Sequence, residues 1–283
     1  MKNNNSMDKM ESIIKKYGRG YYRSTFLFPK QIREATWVYY TFVRLPDEIV
    51  DNAPEETREA ELNNWISEWN QVVEKNVVSE NEILNQFKKI MSEYNIPVEY
   101  SYAFFKSMKQ DLTVTEYDTY EQLEDYMYGS SVVVGYTMSS IIGYQEGALE
   151  YAKALAEAFQ MTNFIRDIQE DYELRKRIYI PKEDIERFGV TIDHIAKHNV
   201  DTAWQNLIKF EIQRTRQLYE KGLLGIPMLH ARGRRAVYAA ALIYKDILDK
   251  IEKQKYDVFS KRVKVSAFRK TMLLYKALWK KNL

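Results

Sequence analysis

Gln160–Asp171 reads QMTNFIRDIQED, and the rest of the chain is organised around it. The stretch is polar where a helix in the middle of a large domain is normally apolar. At 3.6 residues per turn, Gln160, Asn163, Asp167 and Asp171 fall on one stripe, with Arg166 at its edge and Glu170 beside it. Two like charges at i, i+4 weaken an isolated helix by roughly 0.2–0.5 kcal/mol. A divalent cation bound between them would offset that cost.

A second stretch far upstream repeats the pattern. FVRLPDEIVD places Asp47 and Asp51 at i, i+4 with Arg44 just ahead of them. Two carboxylate pairs on two helices can face each other and hold Mg²⁺, which prefers oxygen ligands and is usually bound by few carboxylates together with waters and substrate phosphates. Arginine forks would then take up the remaining phosphate charge. Taken singly, each pair also reads as a solvated acidic helix end with a local salt bridge. Both pairs together, with Gln160 and Asn163 on the same stripe, favour a diphosphate site.

Composition narrows the field. Of 283 residues, 45% are hydrophobic and 29% charged, as in an ordinary soluble domain. The formal net charge of +2 supplies no global basic field for nucleic acid. There is no cysteine, hence no disulfide framework, thiolate metal site or thiol nucleophile, which fits a reducing compartment. The opening residues lack the apolar core of a secretory signal, and no run approaches the length of a membrane span. The expected location is the cytoplasm. Glycine (10) and proline (6) are scarce, and long periodic segments predict an all-α fold in a single domain.

Along the chain, residues 1–7 read as a frayed tail and Asp8–Tyr17 as a short helix stopped by Gly18. Arg19–Phe28 is a connector rich in aromatics. From Lys30 a helix runs through Tyr40 into the first acidic pair, where Pro46 is expected to kink it or to let a new helix begin at Asp47. Scaffold helices follow at Glu55–Glu74, Glu80–Tyr94 and Val98–Leu112, then a long helix over Glu121–Ile142 and the motif helix Leu149–Leu174. Asp201–Gly222, Ala236–Lys255 and Val265–Lys281 complete the set. On the long helix, Tyr126, Ser130, Val134 and Met138 share a face at i+4 spacing. His194 and His198 resemble half a zinc site, but Ile195 stands where the HExxH pattern needs glutamate. The last helix mixes Lys and Arg with Phe, Leu, Tyr and Trp, a pattern that suits packing with a solvated basic face and also a peripheral contact with anionic lipid.

The motifs resemble those of the head-to-head prenyl synthases, the phytoene, dehydrosqualene and squalene synthases, with phytoene synthases the best match. FVRLPDEIVD is similar to their first aspartate-rich motif and QMTNFIRDIQED to their second. RIYIPKEDIERFGV (Arg177–Val190) resembles the segment after the second motif, and YMYGSSVVVG (Tyr126–Gly135) their central helix. The resemblance spans nearly the whole chain. It implies an isoprenoid-synthase-like helical bundle around a central cavity. Its catalytic groups would be Asp47, Asp51, Asp167, Asp171 and Tyr126, with Mg²⁺ (or Mn²⁺) on Asp47, Asp51, Asn163, Asp167 and Asp171. Substrate diphosphates would meet Arg44, Tyr40, Gln160, Asn163, Arg166, Tyr179, Tyr244 and Arg262. Two departures stand out: glycines at 18 and 20 replace the family's serines, leaving Arg19 or backbone N–H groups as substitutes, and Pro46 has no regular counterpart.

The implied reaction joins two prenyl diphosphates through a cyclopropyl diphosphate, with C20 substrates giving phytoene. The alternative is C15 chemistry giving dehydrosqualene, or squalene with NADPH. A terpene cyclase and a non-catalytic assembly factor of the same superfamily are the competing classes. The latter would lack the aspartates, and here all four are present. A monomer is the expected state.

Overall fold

The computed structural model describes residues 2–280 and 283, and among them every regular element is helical. Helix α1 spans Lys2–Tyr17, beginning ahead of the expected Asp8 because nothing in KNNNSM breaks a helix. The aromatic connector is itself a short helix, α2 (Arg19–Thr25). Then follow α3 (Lys30–Asn52), α4 (Glu55–Glu74), α5 (Glu82–Glu93) and α6 (Glu99–Gln110). The latter two begin and end within a few residues of expectation, and Asn81 caps α5 through its side chain.

Pro46 neither breaks α3 nor starts a new helix. It removes one backbone donor, but Phe42 and Val50 are each 1% exposed, so both sides of the proline are held in the core. Asp47 and Asp51 therefore remain on one continuous helix.

The expected long helix is three segments. Helix α7 (Tyr120–Met127) leads into a π-helical turn over Tyr128–Val132, which continues as α8 (Val133–Ile142). A π turn inserts a residue and rotates everything beyond it. Tyr126 consequently does not share a face with Ser130, Val134 and Met138. It joins Tyr117, Met161, Phe164 and Tyr179 in a small aromatic core, whereas Val134 and Met138 lie against the core of the N-terminal half. Gly129 sits where a Cβ would collide with the Ala103 carbonyl, so its absence lets α6 and the π turn touch.

Helix α9 (Ala148–Arg175) carries the motif and lies against α7, α8, α12 (Thr202–Leu224) and α13 (Ala231–Lys253). Short α10 (Lys182–Arg187) and α11 (Ile192–Ala196) follow α9, and α14 (Ala267–Leu278) packs on α13. That last helix ends at Leu278, capped by Trp279, short of the expected Lys281, which itself lies outside the described residues. One core gathers α1 to α6 with part of α8, and a second gathers α9 to α14. No helix among the described residues is long and apolar enough to cross a membrane.

Candidate functional site

The stripe read from the sequence survives on α9. Gln160, Asn163, Arg166, Asp167 and Asp171 are half-buried, while Met161, Phe164, Ile165 and Ile168 between them are buried. The apolar positions hold α9 between the cores and leave one polar face looking into the bundle.

Arginines bring the two acidic pairs together. Arg175 Nε lies 3.1 Å from Asp51 Oδ1 on α3, and its Nη1 is 3.1 Å from Asp171 Oδ1 on α9. Arg177 donates to Asp51 Oδ1 at 2.9 Å. Arg44 binds both Asp47 and Glu48. Asp167 is clasped by two forks: Arg166, with Nε at 2.7 Å, and Arg262, with Nε at 2.8 Å and Nη2 at 2.9 Å. Tyr40 and Tyr244 border these groups. Tyr40 reaches Gly18, where an added Cβ would stand 2.8 Å from its hydroxyl. Of the other departure, the Arg19 side chain lies outside the described residues.

Beneath the acidic pairs is a network that sequence reasoning missed. Asp111, at the end of α6, accepts from Tyr126 at 2.8 Å and Tyr179 at 3.0 Å, and its carbonyl accepts from Arg177 at 2.7 Å. Tyr179 stacks on Phe164 with centroids 4.1 Å apart. Tyr126 thus reaches the site through Asp111. Arg175 was legible as the i+4 partner of Asp171. Asp111 carries no local signal at all, since its partners come from 15 and 68 residues away.

Electrostatics differ along the cluster. Burial, aggravated by Asp51, pushes Asp47 up to about 7. Burial, aggravated by Asp167, pushes Asp171 up to about 7 as well. Burial also acts to raise Asp167, but Arg166 and Arg262 overcome it and hold that carboxyl below its usual range. Burial pushes Asp111 up to about 6 against the pull of Arg177. Asn163 Oδ1 is buried with no hydrogen-bond partner among the described residues.

Among the described residues, no three carboxylates or imidazoles form an all-protein metal cage. Half-buried aspartates raised by burial and by one another, with the orphaned Asn163 oxygen, instead fit a hard cation bound through few carboxylates plus water and phosphate oxygens. The two histidines have separate partners: His194 meets Asp201 at 3.1 Å and His198 meets Glu173 at 3.0 Å. A narrow crevice lined by Tyr39, Phe42, Val43, Tyr100, Phe104 and Thr137 lies between α3, α6 and α8. An open groove between α4 and α6 is lined by residues including Ile66, Phe105 and Lys109 and by none of the motif aspartates.

Paired aspartates on two helices of an all-α bundle suit a prenyltransferase, and the relatives of this chain place it among those of the head-to-head type. The model of the squalene/phytoene synthase family matches residues 14–269, and the chain belongs to that family. It is 30% identical to 15-cis-phytoene synthase of Synechocystis sp., over 93% of this chain and 81% of that one. It is 29% identical to phytoene synthase of Arthrospira platensis, over 95% and 91%. A crystal structure of a dehydrosqualene synthase in complex with ligand superposes with a TM-score of 0.90 at 26% identity, covering 97% of this chain and 96% of that one. A squalene synthase from Alicyclobacillus acidocaldarius shares the fold, with a TM-score of 0.82. Prenyltransferases of this kind typically use a divalent metal, and prenyl diphosphates are their substrates.

Proposed function

We propose that the chain joins two C20 prenyl diphosphates, geranylgeranyl diphosphates, head to head to give phytoene, with Mg²⁺ held by Asp47, Asp51, Asp167 and Asp171 and by the Asn163 oxygen. The observation that carries this reading is Arg175 standing 3.1 Å from both Asp51 and Asp171, which sets the two aspartate-bearing helices face to face. Mg²⁺ would supply Lewis-acid stabilisation of the diphosphate leaving group. Arg44, Arg166 and Arg262 lie beside the carboxylates and would take up phosphate charge when substrate arrives. Gln160 would add a polar contact from the same stripe.

In the first half-reaction the C1–O bond of one substrate breaks. The resulting allylic cation is attacked by the 2,3 double bond of the other, and a proton leaves to close the cyclopropane. In the second, the remaining C–O bond breaks, the ring rearranges, and loss of another proton gives the central triene. Both protons can pass to released diphosphate. Buried aromatic faces, among them Tyr126, Phe164 and Tyr179, suit a site that must exclude water and tolerate positive charge.

The C15 reaction giving dehydrosqualene is the second reading, favoured by the likeness to the dehydrosqualene synthase structure. NADPH enters only if squalene is made, because a hydride then replaces the final proton loss. Incubation with C15 and with C20 diphosphates and Mg²⁺, with and without NADPH, followed by mass analysis, tests the proposal. A C40 hydrocarbon formed without NADPH is the expected product; C30 products alone would overturn the C20 assignment. A peripheral membrane contact belongs to the same reading.

A further inference from the structure

The inner face of α14 is packed and its outer face is not. Leu273, 6% exposed, joins the second core, and Ala277 is fully buried. On the opposite side Phe268 is 77% exposed, Met272 46% and Tyr275 61%, and Trp279, at the C-terminal cap, is 78% exposed. These positions are spaced i, i+4, i+7 and i+11, which draws one apolar stripe along the outside of the helix. The helix is no loose tail. Just ahead of it Arg262 is bonded to Asp167 and Val263 and Val265 are buried, and within its first turn Arg269 donates to Asp246 at 2.8 Å.

Charge says what covers the stripe. From Val258 to Leu283 the sequence VFSKRVKVSAFRKTMLLYKALWKKNL contains no Asp or Glu and eight Lys or Arg. Lys276 is exposed along one flank of the stripe, Lys280 is exposed with its ammonium 5.6 Å from the centre of the Tyr238 ring, and Lys264 is exposed just upstream. A second copy of the chain would set this basic flank against itself, which opposes a symmetric contact. Apolar and aromatic side chains on a fixed helix, edged by lysine, match the interface of an anionic bilayer, where rings sit at headgroup depth and ammonium groups reach lipid phosphates.

We propose that α14 lies in the plane of an anionic lipid surface, inserting Phe268, Met272, Tyr275 and Trp279 while Lys276 and Lys280 engage the headgroups. This specifies the peripheral membrane contact named above. It requires no substrate, so its failure would leave the assigned reaction untouched.

The test uses the full chain and two sets of extruded vesicles, phosphatidylcholine alone and phosphatidylcholine mixed with phosphatidylglycerol. Wild-type protein should sediment with the anionic vesicles, less so at high salt, and its tryptophan emission should shift to the blue as Trp279 leaves water. A Phe268→Ser, Trp279→Ser double variant should keep its circular dichroism, since both side chains are exposed, and should bind roughly tenfold or more weakly. Lys276→Gln with Lys280→Gln should weaken binding to the anionic vesicles only. Wild-type protein left in the supernatant with both vesicles would overturn the proposal, and so would equal binding by the serine variant or equal affinity for neutral and anionic lipid. A wild-type dimer in equilibrium sedimentation that the serine variant abolishes would assign the stripe to a second copy instead.

Discussion

Arg177 donates from Nη1 to Asp51 Oδ1 at 2.9 Å, tying the segment after the second motif to the first motif across 126 residues of sequence. The same guanidinium donates from Nη2 to the Asp111 carbonyl at 2.7 Å and is 5% exposed. Arg177→Gln should therefore leave the buried Asp111 short of a cation, while Asp51 keeps Arg175. Removing one partner of a buried pair typically costs about 3–5 kcal/mol. Asp111→Asn leaves Arg177 paired with Asp51 and should cost less, about 1–3 kcal/mol. Urea unfolding of the two variants gives the order; a milder Arg177→Gln would mean the network is not centred on the arginine.

The carboxylates should separate into two kinds when neutralised. Asp47 is pushed up to about 7 by burial, so Asp47→Asn should leave the metal-free protein as stable as wild type or more so. Asp167 is held low by two arginines, and Asp167→Asn should destabilise by about 1–3 kcal/mol because it loosens both forks. Both variants should lose turnover. Added Mg²⁺ should raise the melting temperature of wild type by mass action, and of neither variant to the same extent. Unchanged turnover in both would remove the aspartates from the reaction.

The part of this site that could be read in the sequence is the part written at helical spacing. Gln160, Asn163, Asp167 and Asp171 share a face of α9 because 3.6-residue periodicity requires it, and that helix lies within a residue of the expected Leu149–Leu174. The π turn at Tyr128–Val132 defeated the same logic, because an extra residue per turn leaves no mark in an apolar pattern. Tyr126 was therefore assigned the wrong neighbours. Asp111 and Arg177 lie 66 residues apart, and only the fold joins them. Pro46 looked disruptive because local propensity cannot register Phe42 and Val50 holding the helix from both sides.

Arg166 and Arg262 offer a comparison on one carboxylate. Arg166 binds Asp167 from within α9 at 16% side-chain exposure, while Arg262 does so from the loop before α14 at 46%. Arg166→Lys keeps the charge and loses the planar fork, and should reduce kcat/KM by roughly tenfold or more. Arg262→Lys, solvated and better able to readjust, should reduce it less. Steady-state kinetics on both variants decide, and wild-type values for Arg166→Lys would reduce it to a structural ion-pair partner.

Stability should also depend on pH through a group far from the aspartates. Glu211 is fully buried and meets Arg214 Nη1 at 2.9 Å, while Asp184 takes the same nitrogen at 2.8 Å. Burial pushes Glu211 up to about 8 from an ordinary 4.5, Arg214 opposing. A raised carboxyl binds its proton more tightly in the folded chain. Its contribution is complete below about 4.5 and is lost as pH rises towards about 8. Glu211→Gln does not titrate, so the stability of wild type relative to this variant should fall across that window by about 1 kcal/mol or more. Urea midpoints at both ends of the window test it, and a constant difference would show that Arg214 keeps Glu211 ionised throughout.

Val134 bears on which chain length the bundle accepts. It is half-buried on α8, one turn before Met138, and both pack against the core of the N-terminal half. The crevice lined by Phe42, Val43, Phe104 and Thr137 lies between the same helices. If an isoprenoid tail runs along this side of α8, a larger ring at 134 would intrude on it. Val134→Phe should reduce C20 turnover more than C15 turnover. If the residue instead only fills core, the added atoms should overpack it, costing about 1–3 kcal/mol without altering the substrate ratio. The two effects separate when thermal unfolding and the C20-to-C15 ratio are measured on the same preparation. A lowered ratio with an unchanged melting temperature places Val134 on the path of the substrate. An unchanged ratio with a lowered melting temperature assigns it to packing alone.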